Sequence, residues 1–160
     1  MAALATEQVL TAAAVHLGRS ATDRSDAIDQ CGALLRDLGA VADPYLPAMH
    51  ERERVVSTFI GEEVAIPHGT DAARAHVRTT RLGFLQFPQG VDWGGHRVSV
   101  CIPIAADGDE HIRLLSTLAN VLMDSAKAKA LREATDADTV LALLADTGDD
   151  GEDDPEEDPA

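Results

Sequence analysis

The chain has 160 residues, which suits one domain with a real core, and its 45% hydrophobic content with only 3% aromatics leaves that core to Ala, Leu, Val and Ile. Its net charge of −15 is uneven: nine acids and no base lie from Asp146 onward, so the preceding 145 residues hold 19 acids against 13 bases, a net −6. No basic patch or basic-aromatic stripe points to nucleic acid, no apolar run approaches the ~18 residues of a membrane span, and MAALATEQVL lacks the basic region and long apolar core of a signal peptide. These features predict a soluble cytoplasmic protein. Cys31 and Cys101 stand apart in apolar surroundings without a CxxC neighbour, which predicts two buried thiols in a reducing compartment rather than zinc or redox chemistry.

In chain order, the first ten residues read as a loose arm, and TAAAVHLG (11–18) as either a strand or a poor helix. SATDRSDAIDQCGALLRDLGAV predicts a helix. Thr22 or Ser25 supplies the N-cap oxygen, Ile28, Cys31, Leu34, Leu35 and Leu38 recur at helical spacing, and Gly39 stops it. Pro44 opens a shorter helix running to about Arg54. EEVAIPHG reads as a strand ended by Pro67; TTRLGFLQF (79–87) and RVSVCIPIA (97–105) read as strands, with the Gly- and Pro-rich PQGVDWGG as the loop between them. DGDEHIRLLSTLANVLMDSAKAKALREA predicts one long helix with Ile112, Leu115, Leu118, Ala119, Leu122 and Met123 on its apolar face, and DADTVLALLAD a last helix. The expected organisation is one α/β domain over residues 1–146, a mixed parallel and antiparallel central sheet with helices on both faces, followed by a disordered acidic tail at 147–160.

The chemistry centres on His68. Pro67 fixes φ and biases Ile66 toward an extended shape, and Gly69 is expected to let the chain turn beyond it. A histidine on such a turn, at the end of a strand, is either a simple turn cap or a presented nucleophile. Imidazole titrates near ~6.5, so at neutral pH its lone pair is free to attack phosphorus, and the resulting phosphoramidate is labile enough to be passed on. Two features could answer a phosphoryl group's charge: His111, in the first turn of the long helix with Asp107 or Asp109 as its N-cap, and Arg52 or Arg54 in MHERERVV. His68, His76, His96 and His111 lack metal-ligand spacing, and no cofactor is implied.

The stretch ERVVSTFIGEEVAIPHG (Glu53–Gly69) resembles the phosphorylation-site signature of the type 2 enzyme IIA domains of the bacterial phosphoenolpyruvate-dependent sugar phosphotransferase system. It has an acid at Glu53, Ile60-Gly61, and then the aliphatic-Ala-aliphatic-Pro-His-Gly core. EHIRLLSTLANVL (110–122) is similar to that family's second histidine helix, and IPHGT, FPQGVDWGG and MHERE resemble its mannitol branch. The likeness covers roughly residues 10–145. It implies that His68 accepts a phosphoryl group through Nε2 from phospho-HPr and passes it to a cysteine of a mannitol-type EIIB domain. It implies further that His111 supports the phosphate and that Arg52 neutralises its charge, with Arg54 the alternative; Thr70 either holds the imidazole or serves the turn. With neither a membrane segment nor an EIIB-like cysteine motif here, the transporter and EIIB are expected on another chain. The rival expectation is an EIIA-like regulator acting by phosphorylation-dependent binding, against which FPQGVDWGG weighs. A histidine hydrolase has no triad to support it.

Overall fold

The computed structural model describes residues 9–106 and 108–144; the arm up to Gln8 and the acidic tail at 147–160 lie outside them. Residues 11–18 form a short 3-10 turn, Ala12–Ala14, running into strand β1, Val15–His16. Helix α1, Arg24–Asp37, is capped neither by Thr22 nor by Ser25. Asp23 between them accepts from the Asp26 N–H at 2.8 Å, and the Asp26 carboxylate accepts from the Thr22 N–H. Gly39, at φ +77°, supplies the left-handed step that ends the helix. Pro44 opens helix α2, Tyr45–Val55, whose Pro47 falls in the first turn, where its missing N–H costs nothing.

The stretch EEVAIPHG (62–69), expected as one strand, instead supplies the turn and the second strand of a hairpin. Strands β2, Phe59–Gly61, and β3, Val64–Ala65, pair antiparallel across a Glu62-Glu63 turn, both residues with positive φ. After a second 3-10 turn, Asp71–His76, come β4, Arg81–Leu82, and β5, Phe84–Trp93. The expected loop at PQGVDWGG is therefore mostly strand. Its Pro88 and Gly90 sit in an irregularity of pairing between Gln86 and Val91, and the turn is confined to Gly94-Gly95, both at positive φ. Strand β6, His96–Cys101, ends before Pro103, and β7, Ile104–Ala105, leaves to pair with β4. The expected long helix is two: α3, Gly108–Leu122, and α4, Ser125–Arg132, separated where Asp124 caps the second by accepting from the Ala126 and Lys127 N–H groups. Helix α5 occupies 137–144.

The main sheet runs β1-β5-β6-β3-β2, with β1/β5 and β3/β6 parallel and the other pairs antiparallel, so the mixed sheet expected from the sequence is present. Alternation along its strands feeds two cores. Val64, Phe84, Val100 and Ile102 face the layer of α3, α4 and α5, whereas Ala65, Leu85 and Cys101 face α1 and α2. Helix α3 buries Leu118, Val121 and Leu122; Ile112, Ala119 and Met123, expected on its inner face, are exposed. The break at Asp124 removes the need for one continuous stripe. Cys31 and Cys101 are buried free thiols, as expected, and burial pushes the Cys31 thiol up.

Candidate active site

The parallel neighbours β3 and β6 carry their chains out at the same end of the sheet. Beyond β3 the Pro67 carbonyl accepts from the Ile104 N–H at 3.0 Å, which ties the two exits together. One exit leads to His68, the other to the N-terminus of α3 and His111. The two imidazoles meet edge to face, ring centroids 4.8 Å apart and planes at 64°. Functional groups gather at such strand ends because loops there are free of the ladder.

His68 is only 7% exposed. Its Nδ1 lies 2.8 Å from the Ile66 carbonyl oxygen. A carbonyl only accepts, so Nδ1 carries the proton and Nε2 keeps its lone pair. Burial lowers the His68 pKa to about 4; the Ile66 bond and Glu53 oppose the shift, while His111 and Arg52 add to it. The ring is therefore uncharged and nucleophilic at neutral pH. His111 is half-buried and also shifted down, by burial first and then by Arg52 and Arg74, with Asp71 acting against them. It borders a cavity of about 390 Å³ whose wall includes Thr70, Asp71, Arg74, Asp109 and Ile112. Asp109 lies within α3 rather than at its cap, and Asp107 is outside the described residues.

Arg52, in the last turn of α2, donates to the Val56 carbonyl, and its charge acts on both imidazoles. Arg54 lies elsewhere, in a cleft with Arg24, Ser25 and His50. The structure thus brings together His68, His111 and Arg52 and leaves Arg54 aside. Thr70 takes a backbone role: its carbonyl accepts from the Ala73 N–H, and among the described residues no hydrogen bond joins its side chain to His68.

Tyr45 had no role in the sequence reading. Its hydroxyl accepts from the Gly69 N–H and donates to the Ile104 carbonyl, both at 2.9 Å, pinning the segment after His68 to the segment before α3. Gly69 is accordingly small for a reason other than the expected turn. A Cβ there would stand 2.7 Å from the Tyr45 ring, and no left-handed φ is involved. Glu53, named so far only as the acid of the signature, forms a buried hydrogen-bonded group behind Arg52 with Thr58 and Trp93, which likewise had no role. Trp93 sits in a Gly-rich stretch that reads as loop, so its indole gave no signal of being core.

The site can hold a phosphoryl group on Nε2, with the α3 N-terminus, His111 and the Arg52 guanidinium near an anion. Comparison with known proteins agrees with this chemistry. Residues 8–147 match the family described as phosphoenolpyruvate-dependent sugar phosphotransferase system, EIIA 2. The chain is 45% identical over 131 residues to the multiphosphoryl transfer protein of Escherichia coli O157:H7; that match takes in 81% of this chain and 35% of the relative's length. It is 40% identical over 130 residues to the mannitol-specific phosphotransferase enzyme IIA component of a Staphylococcus aureus strain, covering 81% of this chain and 90% of that protein. Among solved structures, the Escherichia coli complex of enzyme IIAMTL and phosphorylated enzyme IIBMTL contains a chain that superposes with a TM-score of 0.81 at 36% identity, covering 86% of this chain and 99% of that one.

Proposed function

The chain belongs to the type 2 EIIA family of the phosphoenolpyruvate-dependent sugar phosphotransferase system, and on that premise we propose that His68 is its phosphoryl carrier, loaded by phospho-HPr and unloaded onto a mannitol-type EIIB domain. The observation that carries the reading is the hydrogen bond from His68 Nδ1–H to the Ile66 carbonyl, which leaves Nε2 as the nitrogen with the free electron pair. In the loading step that pair attacks the phosphorus of the donor's phosphohistidine. The new P–Nε2 bond forms as the donor's P–N bond breaks, and the donor imidazole keeps the departing pair. In the unloading step a cysteine thiolate of EIIB attacks the same phosphorus and the Nε2–P bond breaks toward His68. The chain's own residues answer the charge that moves: Arg52 stands by both rings, and His111 offers a donor beside the phosphoryl oxygens. Mannitol-type EIIB is supported by the mannitol-specific relative of nearly equal length and by the enzyme IIAMTL–IIBMTL complex. No helix among the described residues is long and apolar enough to cross a membrane, and we place the protein's work in the cytoplasm, where phospho-HPr is available.

Incubation with phosphoenolpyruvate, enzyme I and HPr should give a single acid-labile phosphoryl adduct, mapped by mass spectrometry to His68. Addition of EIIB should discharge it. His68→Ala should abolish loading with the fold intact; a variant still phosphorylated on histidine would sink the assignment.

A further inference from the structure

Arg52 and Glu53 are neighbours in the last turn of α2 and serve opposite sides of it. Arg52 reaches the site; Glu53 is 8% exposed and meets only donors. The Trp93 indole N–H donates to its Oε2 at 2.9 Å, the Thr58 N–H sits 3.1 Å from the same oxygen, and the Thr58 hydroxyl donates to Oε1. From Thr58 the connection runs directly to the nucleophile. Its carbonyl accepts from the Ile66 N–H at 3.0 Å, and the Ile66 carbonyl accepts from His68 Nδ1–H at 2.8 Å. The same loop presents the Val56 carbonyl to the Arg52 guanidinium. One buried carboxylate therefore anchors two connections, one through the backbone of 56–58 to the carbonyl that receives the guanidinium and the other through hydrogen bonds to the imidazole.

We propose that Glu53 is a positioning residue for phosphoryl transfer, its all-acceptor carboxylate fixing loop 56–58 so that Arg52 and the His68 tautomer are held in register. The inference rests on His68 being the phosphoryl carrier. The role belongs to Glu53's hydrogen-bond geometry. In Glu53→Gln the amide can be set two ways: with its NH₂ group toward Trp93 it opposes the indole N–H, and with its NH₂ group toward Thr58 it reverses the hydroxyl's bond, so neither setting keeps every bond the carboxylate receives. Trp93→Phe removes that opposing donor, so the double variant should let the glutamine settle on Thr58.

The test compares wild type, Glu53→Gln, Trp93→Phe and the double variant, with phospho-HPr as donor. Glu53→Gln should lower the maximal loading rate at least tenfold, with the donor concentration for half-maximal rate changed less than twofold, because the docking surface is untouched. Its His68 ring should lose the single Nδ1–H tautomer in ¹H–¹⁵N spectra. The double variant should return to within threefold of Trp93→Phe alone. A wild-type rate in folded Glu53→Gln, a loss confined to half-saturation, or a double variant as slow as the single one each overturns the proposal. If Glu53→Gln does not fold, Thr58→Val carries the same test by deleting only the hydroxyl donor: a slowed maximal rate with altered His68 ring signals supports it, and unchanged rate and signals overturn it. Wild-type protein that is not labelled on His68 would instead defeat the carrier reading, while the ring spectra report on Glu53 without any donor.

Discussion

Burial keeps the His68 ring uncharged, its Nε2 lone pair free, at neutral pH. In the unfolded chain the ring takes up a proton near ~6.5; in the folded protein it resists until about pH 4. Between those values the unfolded state binds more protons, so stability falls as pH drops through the window. The contribution above the window is on the order of 3 kcal/mol. The melting temperature of His68→Ala should therefore decline less between pH 7 and pH 4 than that of wild type, as scanning calorimetry at several pH values would read. At the same scale, Arg52→Ala should slow transfer roughly 10- to 100-fold, since a charge-assisted bond to phosphate is worth about 1.5–3 kcal/mol. Arg54→Ala, whose side chain sits in the other cleft, should change the rate less than threefold in the same assay. Gly69→Ala should cost about 1–3 kcal/mol by denaturant titration, because its Cβ drives into the Tyr45 ring. The grouping of His68, His111 and Arg52 was legible through the family resemblance, whereas local chemistry alone left Arg54 and a simple turn cap open. Tyr45 was not legible, because its partner Gly69 lies 24 residues away and nothing in the spacing joins them.

Elements differ from residues in what their patterns reveal. Helix α1 was readable because its apolar period, cap region and terminal glycine agree. The β2–β3 hairpin was not, because a Glu-Glu pair is a poor signal for a turn that asks both residues for positive φ, +53° and +63° here. Glu62→Asn should relieve part of that cost while keeping the Glu62 carbonyl that receives Arg132. The lost pair between Arg132 and the Glu62 carboxylate is a partly exposed one of little worth. A gain of about 0.5 kcal/mol in chemical denaturation is expected. The second half of strand β5 hid for a different reason: glycine and proline mark a bulge as readily as a loop. The strand's Gln86 is buried next to the irregularity of pairing. The side chain reaches the carbonyls of Arg132 and Ala134 through its NH₂ group and receives the Gly18 N–H on its oxygen. It thereby closes the end of α4 against β5. Gln86→Leu should leave those groups unpaired and cost about 2–4 kcal/mol, seen as a lower denaturation midpoint with an unchanged slope.

For the whole molecule, alternating strands set the layer order: one face of the sheet takes the N-terminal helix pair, the other the C-terminal helices. That much followed from interleaved helical and strand patterns. The strand order did not, since β1 pairs with β5 across nearly seventy residues of chain and only packing decides such a partner. The site inherits this layering. Arg52 comes from a helix on one face, His111 from a helix on the other, and His68 from the strand end between them. A chain emerging from the ribosome, or one half-unravelled by heat, has its histidine but not the surroundings that make it reactive. With His68 as the proposed carrier, such a molecule would draw no phosphoryl groups from the shared pool, and damaged copies would withdraw themselves from the relay without needing to be removed. Loading competence should consequently disappear in urea at the same midpoint as far-ultraviolet ellipticity, with no concentration at which one survives the other.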